Sequence, residues 1–258
     1  MTDRVTLITG ASSGIGAELA RVFAANKHKV VLIARRAERM TELADSIAAA
    51  GGKRPVIIAC DLQQANAGDV IAAQLDAQNL DVEILVNNAG FGLFGQSANL
   101  DRNQQLDMID LNVRALTDLS LRFSDSIVRN KGAILNVASI ASFLPGPGMA
   151  VYYASKAFVL SFTEALRGEL GRYGVRVTAL CPGPVPTEFQ SRAGFAPGLD
   201  SAVLNVSAPD VAKAGYRGLM ANKQVVLPGL GIRLIPFFLR FAPRGLVLAA
   251  VTRVQRSR

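Results

Sequence analysis

Val5-Thr6-Leu7-Ile8-Thr9 runs directly into Gly10-Ala11-Ser12-Ser13-Gly14-Ile15-Gly16, and this junction decides the fold. The first five residues are β-branched or apolar, as a strand buried on both faces requires. From Ile15 the period changes, because Ile15, Leu19, Val22 and Phe23 fall at helical intervals and give one apolar stripe. Small residues occupy the turn between. Glycine tolerates φ > 0 and has no Cβ, while a helix N-terminus offers unpaired N–H groups, so a pyrophosphate fits there. A tight strand-to-helix connection without a ligand uses the same residues; the position after the first strand favours nucleotide binding.

The same alternation continues along the chain. Strands are expected at Val5 to Thr9, Val30 to Ala34, Pro55 to Cys60, Ile84 to Asn87, Ala133 to Ala138, Val175 to Cys181 and Gln224 to Leu227. Met40, Leu43, Ala44 and Ile47 form a second helical stripe. The pattern predicts an α/β fold, a doubly wound, seven-stranded parallel sheet with helices on both faces. Loops at Gly92 to Asp101, Phe143 to Met149 and Pro182 to Ala208 follow strands, on the side where open α/β sheets bind ligands. No linker divides residues 1–258, so one domain is expected, with a core over 1–228 and an extension over 229–258.

Half of the 258 residues are hydrophobic, which excludes disorder, and two cysteines exclude a disulfide scaffold. Cys60 and Cys181 have no C-x-x-C partner or nearby His, so no metal site is expected. Lone His28, in the turn before the second strand, reads as a solvated surface residue. No secretory h-region follows Met1 and no long apolar run occurs, so a cytoplasmic protein is expected. Residues 1–210 hold 19 Lys/Arg against 20 Asp/Glu, whereas 211–258 hold nine Lys/Arg and no acid. Without a nucleic-acid-reading motif or interleaved aromatics, this tail does not indicate a nucleic-acid partner.

The glycines are spaced G-x-x-x-G-x-G, and with them come Asn87-Asn88-Ala89-Gly90, Asn112 in Leu-Asn-Val, Ser139 placed 13 residues before Tyr152, Tyr152-x-x-x-Lys156, and Pro182-Gly183-x-Val185-x-Thr187. In this order the marks resemble the short-chain dehydrogenase/reductase family in its single-domain form, over about residues 1 to 228. The resemblance implies a Rossmann-type fold and an oxidoreductase acting between an alcohol and a carbonyl. It further implies catalytic roles for Asn112, Ser139, Tyr152 and Lys156. Gly10, Ser12, Ser13, Gly14, Ile15, Gly16, Asn88, Ala89, Gly90, Pro182, Gly183, Val185 and Thr187 would bind the dinucleotide, with Asp61 and Leu62 at its adenine. In the family the lysine also contacts the nicotinamide ribose, and the helix asparagine holds a water that relays protons; Asn112 otherwise reads as a residue that kinks its helix.

The residue types suit these roles. Tyr152 and Lys156 lie one helical turn apart, so the ammonium is expected to lower a phenol pKa that starts near about 10. A phenol at a carbonyl oxygen can donate a proton while hydride reaches carbon, and a Ser hydroxyl can bind the same developing oxyanion. Tyr153 and Ser142 are nearby alternatives, but Tyr153 has Ala157 where the lysine is needed, and Ser142 lies only ten residues before Tyr152; both read as pocket or packing residues.

The second strand ends in Ala34-Arg35-Arg36, with no acid before Glu38. An NAD-preferring enzyme places a carboxylate there, whereas two guanidiniums can pair with a 2′-phosphate, so NADP (NADPH) is expected. Phe91, Leu93, Phe94, Phe143, Leu144, Met149, Phe189 and Phe195 suggest a pocket for a small apolar ketone, aldehyde or secondary alcohol. A 3-oxoacyl carrier-protein or CoA reductase, and a catalytically idle NADP-binding or scaffold protein, are the alternatives.

Many relatives end shortly after an Asp-Gly-Gly turn in a tetramer interface, whereas this chain continues from Gly229 to Arg258. A homodimer through the fourth and fifth helices is expected instead. In the extension, Arg233, Arg240 and Arg244 align roughly on one helical face and Val247, Leu248, Val251 and Val254 form a stripe, with Pro236 and Pro243 breaking it into short helices. Such a segment suits peripheral contact with an anionic membrane, a cover for the substrate cleft, or a dimer seam.

Overall fold

The computed structural model describes residues 2–194, 206–239 and 241–256. Seven parallel strands form one sheet in the order β3-β2-β1-β4-β5-β6-β7: β1 Asp3–Thr9, β2 Val30–Ala34, β3 Val56–Ala59, β4 Leu80–Asn87, β5 Ala133–Val137, β6 Arg176–Leu180 and β7 Val225–Val226. The strand order reverses its progress across the sheet between β1 and β4, which opens a crevice at their C-terminal ends. All seven expected strands are present. β4 starts earlier than expected, because Leu80 and Val82 point into the core while Asp81 and Glu83 alternate with them, and a register shift at Val5/Thr6 lets β1 pair along its length.

Successive strand residues feed opposite layers. Ile8, Leu32, Ile84 and Leu135 pack under α1 Gly14–Ala25, α2 Ala37–Ala49 and α9 Ala208–Met220, whose apolar stripes close that face. Leu7, Val31, Leu85 and Ile134 face the other way, towards α3 Ala67–Ala77, α5 Leu116–Arg122 and α7 Ala150–Leu170. The remaining helices are α4 Arg102–Ile109, α6 Ser124–Arg129, α8 Glu188–Ala193, α10 Leu230–Leu239 and α11 Arg244–Arg256.

Two expectations are corrected by packing. His28 is half-buried instead of solvated: α9 returns from the far end of the sequence, and the imidazole sits edge-on to Phe23 and Tyr216, 3.4 Å from the Tyr216 hydroxyl. Burial pushes its pKa below the usual histidine range. Pro236 does not end a helix but lies within α10; a proline removes one N–H donor, and α10 continues on either side of it. Pro243 does stand between α10 and α11. Arg240 lies outside the described residues. Among the described residues no helix is long and apolar enough to cross a membrane.

Candidate active site

Gly10 and Gly14 adopt left-handed φ values of 65° and 55°, which turns the chain sharply out of β1 into α1. The turn is tightly enclosed: a Cβ on Gly10 would come within 2.8 Å of the Ala89 Cα, and one on Gly16 would collide with the Gly10 carbonyl. Asn88 ties the turn to the end of β4, its Nδ2 donating to the carbonyls of Thr9 at 2.9 Å and Gly10 at 3.3 Å. Thr9 completes the link, its Oγ1 accepting from the N–H groups of Asn88 and Ala89, both at 3.0 Å. No side chain caps α1 at Ser13, so its first N–H groups stay available to an anion.

A cleft of about 1000 Å³ runs from this turn across the C-terminal ends of the strands. Gly10, Ser12, Ser13, Gly14, Ile15, Arg35, Arg36, Asp61, Leu62, Asn88, Ala89, Gly90, Ser139, Tyr152, Lys156, Pro182, Gly183, Val185 and Thr187 all line it. Of the residues expected to bind the dinucleotide or to act in catalysis, two do not. Gly16 lies behind the turn, where it allows close approach, and Asn112 is buried.

At the inner end, Ser139 and Tyr152 line the cleft together, and the serine hydroxyl acts to lower the phenol pKa. Ser139 caps the 3₁₀ turn Ile140–Phe143 in a capping box with Ser142. The Ser142 hydroxyl accepts from the Ser139 N–H at 3.3 Å and donates to the Lys156 carbonyl at 2.7 Å, so it fastens the serine turn to α7. Reading Ser142 as a packing residue missed this link. Lys156 is 5% exposed; its ammonium donates to the Val137 carbonyl at 2.8 Å and lies 6.0 Å from the centre of the Tyr152 ring.

The expected lowering of the Tyr152 pKa does not occur here. Burial pushes the phenol up to about 12, against the smaller lowering effect of the Ser139 hydroxyl, and burial pulls Lys156 down to about 8. Desolvation is the largest cause of both shifts, and the Lys156 ammonium donates to the Val137 carbonyl.

Asn112 sits in a π-helical turn, Asp110–Ala115, so the helix is distorted where a kink was one reading. Its Oδ1 accepts from the Phe91 N–H at 3.1 Å, and its Nδ2 donates to the Phe91 carbonyl at 2.9 Å and to Ser155 at 3.1 Å. It therefore clamps the strand-end loop beside Gly90, where a Cβ would lie 2.9 Å from Asn112 Oδ1 and 3.4 Å from the Lys156 ammonium.

Of the expected apolar contacts, Met149 and Phe189 line the cleft and converge on Gly92 with Tyr152, whose ring centre lies 5.4 Å from that of Phe189. Tyr153 lines it too. Phe91, Leu93, Phe94, Phe143 and Leu144 are not part of the lining, because Phe91 turns into the core and the 3₁₀ turn carries Phe143 away from the cleft. Phe195 lies outside the described residues.

At the outer end, Arg36 donates to Ser13 at 2.9 Å and to Ser12 at 3.2 Å, and pairs with Glu188 at 2.9 Å. Arg35 faces Asp61 at 3.9 Å. Glu188 went unnoticed in the sequence, where nothing links it to a guanidinium so distant along the chain.

The short chain dehydrogenase family profile matches residues 4–195. A sulfoacetaldehyde reductase of Chromohalobacter salexigens is 44% identical over 193 residues, covering 73% of this chain and 75% of that protein. A short-chain dehydrogenase from Sphingobium yanoikuyae, solved in complex with NADPH, superposes with a TM-score of 0.83 at 32% identity, covering 95% of this chain and 94% of that one. A bulky-bulky ketone specific alcohol dehydrogenase from Comamonas testosteroni gives 0.78 at 30% identity, over 95% and 94% of the two chains. The glycine turn, the serine and the tyrosine–lysine pair thus share one cleft within the span that the profile matches, and the chain belongs to the short-chain dehydrogenase family, oxidoreductases that act between alcohols and carbonyls.

Proposed function

We propose that this chain is an NADP(H)-dependent oxidoreductase of an apolar ketone or aldehyde and the corresponding alcohol, one domain with residues 229–258 as an extension. The observation that carries the reading is that Ser139, Tyr152 and Lys156 line one cleft that begins at the glycine turn, with the Lys156 ammonium 6.0 Å from the centre of the Tyr152 ring. The residues fit a dinucleotide: the turn leaves no room for side chains, α1 keeps its first N–H groups uncapped, and Arg35 and Arg36 line the end where a 2′-phosphate belongs. The NADPH-bound Sphingobium relative supports the same choice.

When bound, the nicotinamide supplies or accepts the hydride. Tyr152, kept protonated through neutral pH by its burial, donates its proton to the carbonyl oxygen in the reductive direction, and Ser139 holds that oxygen as its charge develops. Lys156 is assigned to the nicotinamide ribose and to the proton supply of Tyr152. Asn112 is assigned to the relay, and its clamp on Phe91 fixes the loop beside it.

Met149, Tyr153 and Phe189 support an apolar substrate. A sulfonate such as that of sulfoacetaldehyde calls for a cation, and among the described residues lining the cleft the cations are Arg35, Arg36 and Lys156, all assigned to the cofactor. NADPH consumption with ketones of graded size, set against small sulfonated or carboxylated aldehydes, tests the reading; turnover confined to the charged aldehydes would overturn it.

We further propose a homodimer through the helical segment that holds Asn112, α4 to α5, and through α7, supported by Leu106, Ile109 and Leu121 on the first and Phe158 on the second, which are 40–57% exposed. Contact of the extension with an anionic membrane stays a proposal, supported by exposed Leu234, Phe237, Phe238, Phe241, Leu246 and Leu248 beside exposed Arg233 and Arg244. Sedimentation with phosphatidylglycerol vesicles at low salt tests it, and a full-length protein left in the supernatant ends the idea.

A further inference from the structure

The Arg36 guanidinium has a tenant supplied by the chain itself. Glu188 opens α8, immediately after Thr187, whose side chain packs over Gly14 at the glycine turn. From there its carboxylate reaches Arg36 at 2.9 Å through one oxygen and Arg39 at 3.6 Å through the other. Arg36 meanwhile uses its Nη2 on Ser12 and Ser13, at 3.2 and 2.9 Å, so Glu188 occupies the Nη1 side of the fork. The two arginines and Ser13 hold the Glu188 carboxyl below the usual carboxylate range, so it is a full anion at neutral pH.

The geometry points to Glu188 as an internal competitor for the phosphate-binding guanidinium: a 2′-phosphate that engages Arg36 must displace the carboxylate or sit beside its charge, so Glu188 sets how strongly this chain favours a 2′-phosphorylated dinucleotide over one without that phosphate. The inference rests on the NADP reading above. A guanidinium presents a fixed fork of donors, and two anions cannot take the same edge at once. A phosphate that arrives while Glu188 remains meets a like charge; one that displaces it loses the gain of a broken ion pair. In either case the carboxylate subtracts from the advantage that a 2′-phosphate has over a ligand without one there. The alternative is that Glu188 serves the phosphate by holding Arg36 in place, and this predicts the opposite sign.

Fragments isolate the effect from turnover. Adenosine 2′-monophosphate and adenosine 5′-monophosphate are titrated calorimetrically, at fixed ionic strength, into the full-length wild-type protein and into Glu188→Gln, which keeps the shape and removes the charge. The preference for the 2′-phosphate is expected to rise about twofold to fivefold in the variant, the scale of an exposed ion pair, with 5′-monophosphate affinity unchanged. A preference for the 2′-phosphate that is equal in both proteins, or weaker in the variant, overturns the competitor and leaves the NADP reading standing. No preference in either protein overturns both. A preference that emerges only in Glu188→Gln supports both.

Discussion

Lys156 and Tyr152 lie one turn apart on α7, yet the ammonium is spent on the Val137 carbonyl at 2.8 Å and sits 6.0 Å from the phenol ring centre. Both groups line the inner end of the cleft, where desolvation favours the neutral form of each.

Stability should carry the signature of that burial. Lys156 releases its proton near 8 in the folded chain and near 10.5 when unfolded, so between those values the unfolded chain binds more protons and stability rises with pH. Tyr152 acts oppositely, but only above its ordinary 10.0, since it keeps its proton to about 12 when folded. From pH 8 to 9 the lysine acts alone, with a contribution of about 1 kcal/mol, because above 9.0 Cys181, held up to about 12 by burial, acts oppositely. Thermal unfolding should show a climb in Tm over this range in wild type that Lys156→Met lacks; parallel curves would mean that the ammonium is not desolvated.

Catalysis should fall with the proton donor. Tyr152→Phe is expected to lower kcat by at least about 10²-fold and to keep dinucleotide affinity, as removal of a general acid does. Lys156→Ala should lose more, because it also gives up a proposed cofactor contact. Near-native kcat/KM in Lys156→Ala would remove the basis for the mechanism.

Cofactor preference should depend on Arg36 more than on Arg35. Both follow β2, but Arg36 is woven into the glycine turn through Ser12 and Ser13, whereas Arg35 faces Asp61 at 3.9 Å. Arg36→Ala is expected to cut the NADPH/NADH ratio of kcat/KM by about one to two orders of magnitude, the worth of a charged hydrogen bond. Equal use of the two cofactors by the wild-type enzyme would contradict the assignment of the 2′-phosphate.

The glycine turn should tolerate no Cβ at Gly16. Its φ is not positive, so the obstacle is space alone: the added methyl meets the Gly10 carbonyl and the Asn88 amide, neither of which can retreat without opening the turn. Gly16→Ala should cost about 1–3 kcal/mol in denaturant unfolding. It should also weaken dinucleotide binding, because the turn itself must shift. Gly51→Ala offers a contrast, with a strained φ of 84° but open space, and should leave dinucleotide binding unchanged. Equal loss of binding in both variants would show that the turn is not the binding element.

The sequence by itself determined what local periodicity and spacing can encode. Strands buried on both faces announce themselves as apolar runs, helices as stripes, and the glycine turn and Tyr152-x-x-x-Lys156 as fixed offsets within one element or one junction. Strand ends were less legible: the fourth strand was expected only from Ile84, since Asp81 and Glu83 interrupt the apolar run before it, and pairing with β1 carries it back to Leu80. Tertiary structure decided whatever depends on distance across the chain. Arg36 meets Glu188, His28 is covered by Tyr216, and Ser142 joins the serine turn to α7 only because the folded sheet and helices bring them together. It also decided protonation, since the expected lowering of Tyr152 followed from spacing to Lys156, whereas the opposite shift follows from desolvation. Spacing along a helix specifies which groups are neighbours; solvent exclusion and competing acceptors, which set their charge, are properties of the packed molecule.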